Sequence, residues 1–168
     1  MFKKLLVANR GEIACRIFRT CERLGIPTVA VFSDADVLSP HVAQADEAIR
    51  IGPAKVSDSY LNIPAILAAI ADVGADAVHP GYGLLSERRA FADAVVAAGA
   101  TFVGPPGQAL EAFGDKIRAR QIARSVGVMP PPGSDEPVDP KDQTRLLEEA
   151  ERIGLPVLIK AAAGGGGI

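Results

Sequence analysis

Apolar and polar positions fall in blocks along the first hundred residues, and the period of each block predicts its shape. Residues 2–8 end in a short apolar run that stops at Asn9-Arg10-Gly11-Glu12, which predicts a strand and a turn. Ile13, Ile17, Cys21 and Leu24 then recur at helical spacing, with Ala14 and Phe18 beside them, until Gly25-Ile26-Pro27 stops the helix. Residues 28–32 (TVAVF) are a β-branched run and predict a second strand, closed by Ser33-Asp34-Ala35-Asp36. Residues 41–47 predict a short helix, and residues 48–51 a third strand that Gly52-Pro53 terminates. Residues 63–73 are alanine-rich at helical spacing; Asn62 or Ser59 suits the cap, Pro64 the first turn and Gly74 the end. Residues 75–78 predict a fourth strand, residues 89–98 a helix ended by Gly99, and residues 101–103 a fifth strand. Strands alternating with helices at these intervals predict right-handed crossovers and an essentially parallel sheet covered on both faces. The expected class is α/β, with a Rossmann-like parallel sheet over residues 1–114.

After Gly104 the pattern changes. Residues 108–113 predict one or two helical turns, Asp115 begins or caps a helix through Arg124, and residues 127–133 (GVMPPPG) form a stiff, extended connector. Residues 141–153 are a charged amphipathic helix, residues 156–160 (PVLIK) predict a strand, and a run of glycines follows. A second domain is therefore expected over residues 115–168. A strand needs neighbours to pair with, so this second domain reads as the incomplete start of something longer.

Composition narrows the function classes. With 48% hydrophobic and 23% charged residues, the chain can bury a core that offsets its ordering entropy. The 18 basic and 20 acidic residues nearly cancel, so no overall field draws the chain to nucleic acid or to a membrane surface, and any bound anion must be held locally. No stretch approaches the roughly 18 consecutive apolar residues of a membrane span. The N-terminal apolar run lacks a small-residue cleavage pattern, so it reads as a strand and not as a signal peptide. Cys15 and Cys21, six apart on one helix, lie on different faces and do not suit a mutual disulfide, which fits a reducing cytoplasm or an organelle matrix.

Four stretches carry candidate chemistry. HPGYGLLSE, residues 79–87, follows the fourth strand, on the rim where α/β domains bind ligands. Gly81 and Gly83 flank Tyr82, allowing a tight turn and presenting the ring, while Ser86 and Glu87 are expected to open the next helix. The turn after strand one keeps only Gly11 of a G-x-G-x-x-G pattern, so a nicotinamide or flavin site is not expected there; Arg10 and Glu12 either face a neighbouring domain or form a solvated turn. Lys116 falls in the first turn of a helix, where the dipole disfavours a cation; a bound phosphate would account for it, and a solvated surface lysine is the alternative. Lys160 is expected to end a buried strand with its stem in the core and its head toward the glycines. Gly164, Gly165, Gly166 and Gly167 serve either as a flap whose N–H groups close over a polyphosphate or as a flexible linker; their lysine precedes them, unlike a Walker A loop.

Six segments together go further: VANRGEIACRI (7–17), SYLNIPAI (59–66), HPGYGLLSE (79–87), FVGP (102–105), GDK (114–116) and KAAAGGGG (160–167). In this order and spacing the chain resembles the N-terminal part of biotin carboxylase, the ATP-grasp component of the biotin-dependent carboxylases. The resemblance implies a second domain that is the truncated start of an ATP-grasp lid. It also implies a reaction in which ATP, with magnesium, and bicarbonate give carboxyphosphate, whose CO2 passes to N1 of a carrier-bound biotin. By position, Lys116 and Lys160 would contact the nucleotide, Gly164 to Gly167 would close over its phosphates, and Tyr82, Gly83 and Glu87 would line the biotin side of the cleft. The helix bearing Arg16 and Arg19 helps form a homodimer in bacterial members, and the implied partners are a biotin carboxyl carrier protein or domain and a carboxyltransferase subunit or domain. The family's metal ligands, general base, bicarbonate-binding residues and biotin-side arginine fall beyond residue 168, so no catalytic residue and no turnover are expected of these residues alone. Ile168 stands where a basic residue is often found. A different class stays open, a non-catalytic module that pairs with carboxylase subunits. The acyl acceptor, whether acetyl-CoA, propionyl-CoA, methylcrotonyl-CoA or pyruvate, is chosen elsewhere in such enzymes.

Overall fold

The computed structural model describes residues 1–160, which belong to two compact units, Met1–Leu110 and Glu111–Ile168. In the first unit β1 (Leu5–Val7), α1 (Gly11–Leu24), β2 (Thr28–Ser33), α2 (Pro40–Gln44) and β3 (Glu47–Gly52) are followed by α3 (Ile63–Val73), β4 (Ala77–His79), α4 (Arg89–Ala97) and β5 (Thr101–Phe102). The strands form one parallel sheet in the order β3-β2-β1-β4-β5. The expected α/β class with a parallel sheet is therefore realised.

The register explains why the strands read as unbroken apolar runs. Leu6 stands opposite Val29 and Val78, and all three belong to one buried cluster with Ile66 and Ile70 of α3 and Phe91 and Val95 of α4. The intervening positions Leu5, Val7, Ala30 and Ala77 join Ala14, Ile17, Phe18 and Cys21 of α1 on the other face. A sheet covered on both faces needs apolar side chains at every strand position, and each fully buried valine or leucine among them is worth about 1.5–3 kcal/mol.

Of the boundaries that differ from expectation, two have clear local reasons. The fourth strand begins at Ala77 because Ala75 N–H is spent on Ile70 O at the end of α3, while the Asp76 carboxylate accepts from Lys3 and Lys4 N–H. The ladder instead runs on to His79, opposite Val7. Nor do Ser86 and Glu87 open the next helix: they lie in consecutive turns, closed by Ser86 N–H to Gly83 O and Arg88 N–H to Leu85 O, and α4 starts at Arg89. Those turns drop Leu85 into the core, where it is 4% exposed.

Beyond the sheet come α5 (Gly107–Gly114), α6 (Lys116–Ser125) and α7 (Gln143–Ile153). Asp115 caps α6, its Oδ1 accepting from Ile117 and Arg118 N–H at 2.9 and 2.8 Å, and Asp142 caps α7 through Arg145 N–H. Neither α6 nor α7 contains a buried residue. The connector between them is held by side chains instead: Arg120 donates to Pro131 O and Gly133 O, Arg152 to Gly133 O, Arg124 pairs with Asp135 and Arg145 with Glu136.

The expected strand at residues 156–160 is absent. Those residues have no regular structure, and Leu158 and Ile159 are 78% and 80% exposed. A β-branched run becomes a strand only when another backbone pairs with it, and every strand among the described residues lies in the first unit's sheet. Lys160 is accordingly exposed, as are Leu158 and Ile159, and its stem does not lie in a core. Gly164, Gly165, Gly166 and Gly167 lie outside the described residues. No helix of the described residues is long and apolar enough to cross a membrane.

Candidate functional site

From β1 the chain moves outward to β2 and β3 on one side, then returns to lay down β4 and β5 on the other. The carboxyl ends of β1 and β4 are thus the point where the strand order reverses, the place where open α/β sheets bind ligands. The two loops that leave there are Asn9-Arg10 and the HPGYGLLSE stretch, so parallel pairing of two strands some seventy residues apart sets one motif against the other.

Asn9 joins them. It is 4% exposed, its Nδ2 donates to Pro80 O at 2.7 Å and Tyr82 O at 2.8 Å, and its Oδ1 accepts from Arg10 N–H at 2.8 Å. Gly81 passes over this side chain with φ +64°, where an added Cβ would lie 2.7 Å from Asn9 Nδ2. Only glycine fits so close an approach in the left-handed region. Ala8 N–H to His79 O at 2.9 Å closes the same corner.

Tyr82 is 60% exposed and its hydroxyl donates to the Glu12 carboxylate. The hydrogen bond and charge of Glu12 push the phenol above its ordinary pKa. Glu12 is exposed, and this hydrogen bond ties it to the rim loop. Gly83 and Glu87 are exposed on that loop with Tyr82. These three expected residues lie on one loop of the first unit, while Lys116, at the first turn of α6, and Lys160 belong to the second unit. Because the Asp115 carboxylate already takes two amides of the α6 N-terminus, the amides and the Lys116 ammonium do not wait jointly for an anion.

A second cluster was not foreseen in the sequence. Asp36 Oδ2, just past β2, accepts from Ser33 Oγ at 2.8 Å, Tyr60 OH at 2.8 Å and Arg10 Nη1 at 3.3 Å, while the Arg10 guanidinium sits 5.2 Å from the centre of the Tyr60 ring. Burial opposes the Asp36 charge, but the hydrogen bonds from Tyr60, Ser33 and Arg10 outweigh it and hold the carboxyl below the usual range. Burial, then the bond to Asp36, pushes Tyr60 up to about 12. A carboxylate near the end of the second strand binds ribose hydroxyls in dinucleotide folds. Here its donors are internal, Ser33, Tyr60 and Arg10. The signals in the sequence were Arg10 in the turn after strand one and Tyr60 within SYLNIPAI, a motif that assigned it no role.

His41 and His79, the two histidines of the chain, are both held below their ordinary pKa, first of all by burial. His79 Nδ1 accepts from Gly81 N–H at 3.0 Å, which leaves its proton on Nε2. His41 is fully buried with Nε2 3.2 Å from Val31 O, and its Nδ1 has no hydrogen-bond partner among the described residues; Arg10 also lowers its pKa, while the Val31 carbonyl and Asp36 pull the other way. Both folded-state values lie below the unfolded value of about 6.5. Their contribution to stability is thus complete above that pH and is lost as pH falls through the folded values. The urea midpoint is expected to drop between about pH 7 and pH 5, before carboxylates titrate, and less steeply in His79→Gln. A midpoint that stays flat over this window would refute the assignment.

Arg16 and Arg19 are exposed on α1, away from its buried Ala14, Ile17 and Phe18, and both cysteines are free. No three His, Cys, Asp or Glu side chains of the described residues come together in a way that could hold a metal ion.

Residues 1–110 match the family described as biotin carboxylase, N-terminal domain, and residues 115–168 match the ATP binding domain of the carbamoyl-phosphate synthase L chain. The chain is 53% identical to the biotin carboxylase of Haemophilus influenzae over 167 residues, covering 99% of this chain and 37% of that protein. It is 52% identical to the mitochondrial propionyl-CoA carboxylase alpha chain of Sus scrofa, covering 99% and 22%. Among solved structures, the Campylobacter jejuni biotin carboxylase in complex with β-γ-ATP superposes with a TM-score of 0.89 at 43% identity, over 99% of this chain and 37% of that one. The biotin carboxylase domain dimer of Hydrogenobacter thermophilus 2-oxoglutarate carboxylase, with MgADP, ADP and bicarbonate, gives 0.86 at 47%, over 99% and 36%. The chain thus spans well under half the length of these relatives. With the family match covering the whole parallel-sheet unit and both of its rim motifs, the chain belongs to the biotin carboxylase family.

Proposed function

We propose that this chain supplies the N-terminal domain and the first part of the nucleotide lid of an enzyme that uses ATP and bicarbonate to carboxylate biotin on a carrier protein. What carries the reading is the HPGYG loop at the sheet's switch point, locked by Asn9 in a chain whose relatives are carboxylases and whose structural neighbours hold adenine nucleotides and bicarbonate. Tyr82, Gly83 and Glu87 line the biotin side, with an exposed ring that can pack against the neutral bicyclic urea of biotin. Lys116, Lys160 and the N–H groups of Gly164, Gly165, Gly166 and Gly167 hold the polyphosphate of ATP. The domain boundary is assigned between residues 114 and 115, a few residues after Leu110, where the compact units divide.

Magnesium accompanies ATP in such chemistry and neutralises developing phosphoryl charge. The described residues offer no cluster to hold it, so its ligands are assigned to other parts of the enzyme, and this chain alone is not proposed to turn over. The exposed face of α1 with Arg16 and Arg19 is assigned to a homodimer contact, in keeping with the dimeric Hydrogenobacter domain. Carrier and carboxyltransferase components are the remaining partners. A cytoplasmic or organelle-matrix setting suits the free cysteines and the mitochondrial relatives.

The test is nucleotide affinity in the protein produced from the full reading frame that carries this sequence. Lys116→Ala and Lys160→Ala are each expected to weaken ATP binding by about 1.5–3 kcal/mol, the range for a lost charge-assisted hydrogen bond. Unchanged dissociation constants in both variants, with circular dichroism intact, would return these lysines to the ordinary surface.

A further inference from the structure

We infer that Glu12 is a positioning residue for the biotin-side rim: by accepting the Tyr82 hydroxyl it fixes the aromatic ring that this loop offers to the substrate. The inference rests on the reading of Tyr82 as a biotin-side residue, and it assigns a task to a carboxylate that lies outside the HPGYG loop.

Left to itself, Tyr82 would be poorly placed. Gly81 and Gly83 flank it at φ +64° and +65°, Leu84 follows at φ 46°, and the side chain is 60% exposed. A glycine-flanked exposed ring has many accessible orientations, and holding one of them needs contacts at both ends of the residue. Those contacts exist. Asn9 Nδ2 holds the Tyr82 carbonyl at 2.8 Å, and the Glu12 carboxylate holds the phenol. Asn9 belongs to the turn that joins β1 to α1, and Glu12 to the first turn of α1 itself.

Glu12 is a firm post for this purpose. It lies in the first turn of α1, where the helix dipole favours a negative charge and where no side chain caps the helix. The helix itself is anchored to the sheet by Ala14, Ile17, Phe18 and Cys21. A charge-assisted hydrogen bond from this post is stronger than a neutral one. It also commits the hydroxyl, so what Tyr82 offers a ligand is ring surface, which matches an uncharged bicyclic substrate better than a polar one.

The experiment has two arms. In the protein from the full reading frame, with free biotin as the probe, Glu12→Ala and Tyr82→Phe are each expected to raise the KM for biotin about 5- to 10-fold, as for one lost solvent-exposed hydrogen bond of ordinary strength, with kcat changed less than about twofold. Because the two act through one contact, the double variant should be no worse than either single. Glu12→Gln, which keeps an acceptor, should fall between wild type and Glu12→Ala. In the 168-residue chain, phenolate absorbance reports the contact directly, since Tyr60 and Tyr82 are its two tyrosines and it has no tryptophan. Glu12→Ala should bring one phenol back toward the ordinary value of about 10 while Tyr60 remains near its own, with far-UV circular dichroism recorded at each pH.

An unaltered phenol titration, effects that multiply in the double variant, or an unchanged KM in Glu12→Ala would each overturn the role of Glu12. A Tyr82→Ala variant separates the two readings. If it leaves the biotin KM unchanged, the biotin-side assignment fails and takes the inference with it; if it raises KM while Glu12→Ala does not, only the positioning role fails.

Discussion

Gly81→Ala is expected to destabilise the first unit by about 2–4 kcal/mol, from backbone strain and overpacking together. Glycine at φ +64° is in the left-handed region, where an alanine costs about 1–2 kcal/mol. The new Cβ would also lie 2.7, 3.0 and 3.1 Å from Nδ2, Cγ and Cβ of Asn9. Asn9 has nowhere cheap to go: it is buried, and swinging aside would break its bonds to Pro80 O and Tyr82 O. Gly83→Ala is the internal control, because φ there is +65° and nothing lies within 4 Å of the added methyl. It should show the backbone penalty alone. Urea unfolding of both variants measures the difference, and equal losses would mean that Asn9 yields without cost.

Phe91→Ala should be the most damaging single truncation of the core, at about 3–5 kcal/mol. The ring is fully buried on α4 and meets Phe102 edge to face, with centroids 5.9 Å apart and planes at 88°. Phe102 is one of only two residues of β5, the edge strand next to β4, so the ring also backs the short strand that completes the sheet. Beyond apolar area, an aromatic pair of this geometry adds about 0.5–1.5 kcal/mol. Phe91→Leu, which leaves a smaller void, should lose clearly less in the same denaturation experiment. Near-equal losses for the two would indicate that the site collapses around the alanine and that the pair contributes little.

Parts of this architecture were legible in the sequence because they depend on local period. The five strands, the helices between them and the limits of α3 follow from apolar spacing, from Asn62 as a cap and from Gly74 as a stop. The same spacing put the start of α4 at Arg89, whereas Ser86 and Glu87, expected to open that helix, lie in turns that carry Leu85 into the core. The PVLIK segment has strand composition, yet a strand is a relation between two backbones, and composition cannot supply the second. The rim motif could be located, but its contacts could not. Glu12 and Tyr82, or Arg10, Asp36 and Tyr60, are far apart along the chain, and only the adjacency of β1 to β4 and to β2 brings them into reach. Lys116 was legible as a helix-start residue, whereas the cap that Asp115 forms with the same turn changes which groups there remain for an anion.

The connector between α6 and α7 has a chemical grammar of its own. Proline has no N–H, so Pro130, Pro131 and Pro132 present carbonyls with no donors to match, a rail of acceptors that must be served from outside. A guanidinium suits that task because its planar fork carries several N–H groups at fixed angles, and Arg120 spans the rail by gripping Pro131 O with one nitrogen and Gly133 O with the other. A lysine at position 120 would keep the charge and lose the span. In this stretch the shape of the cation, more than its sign, sets the path of the chain.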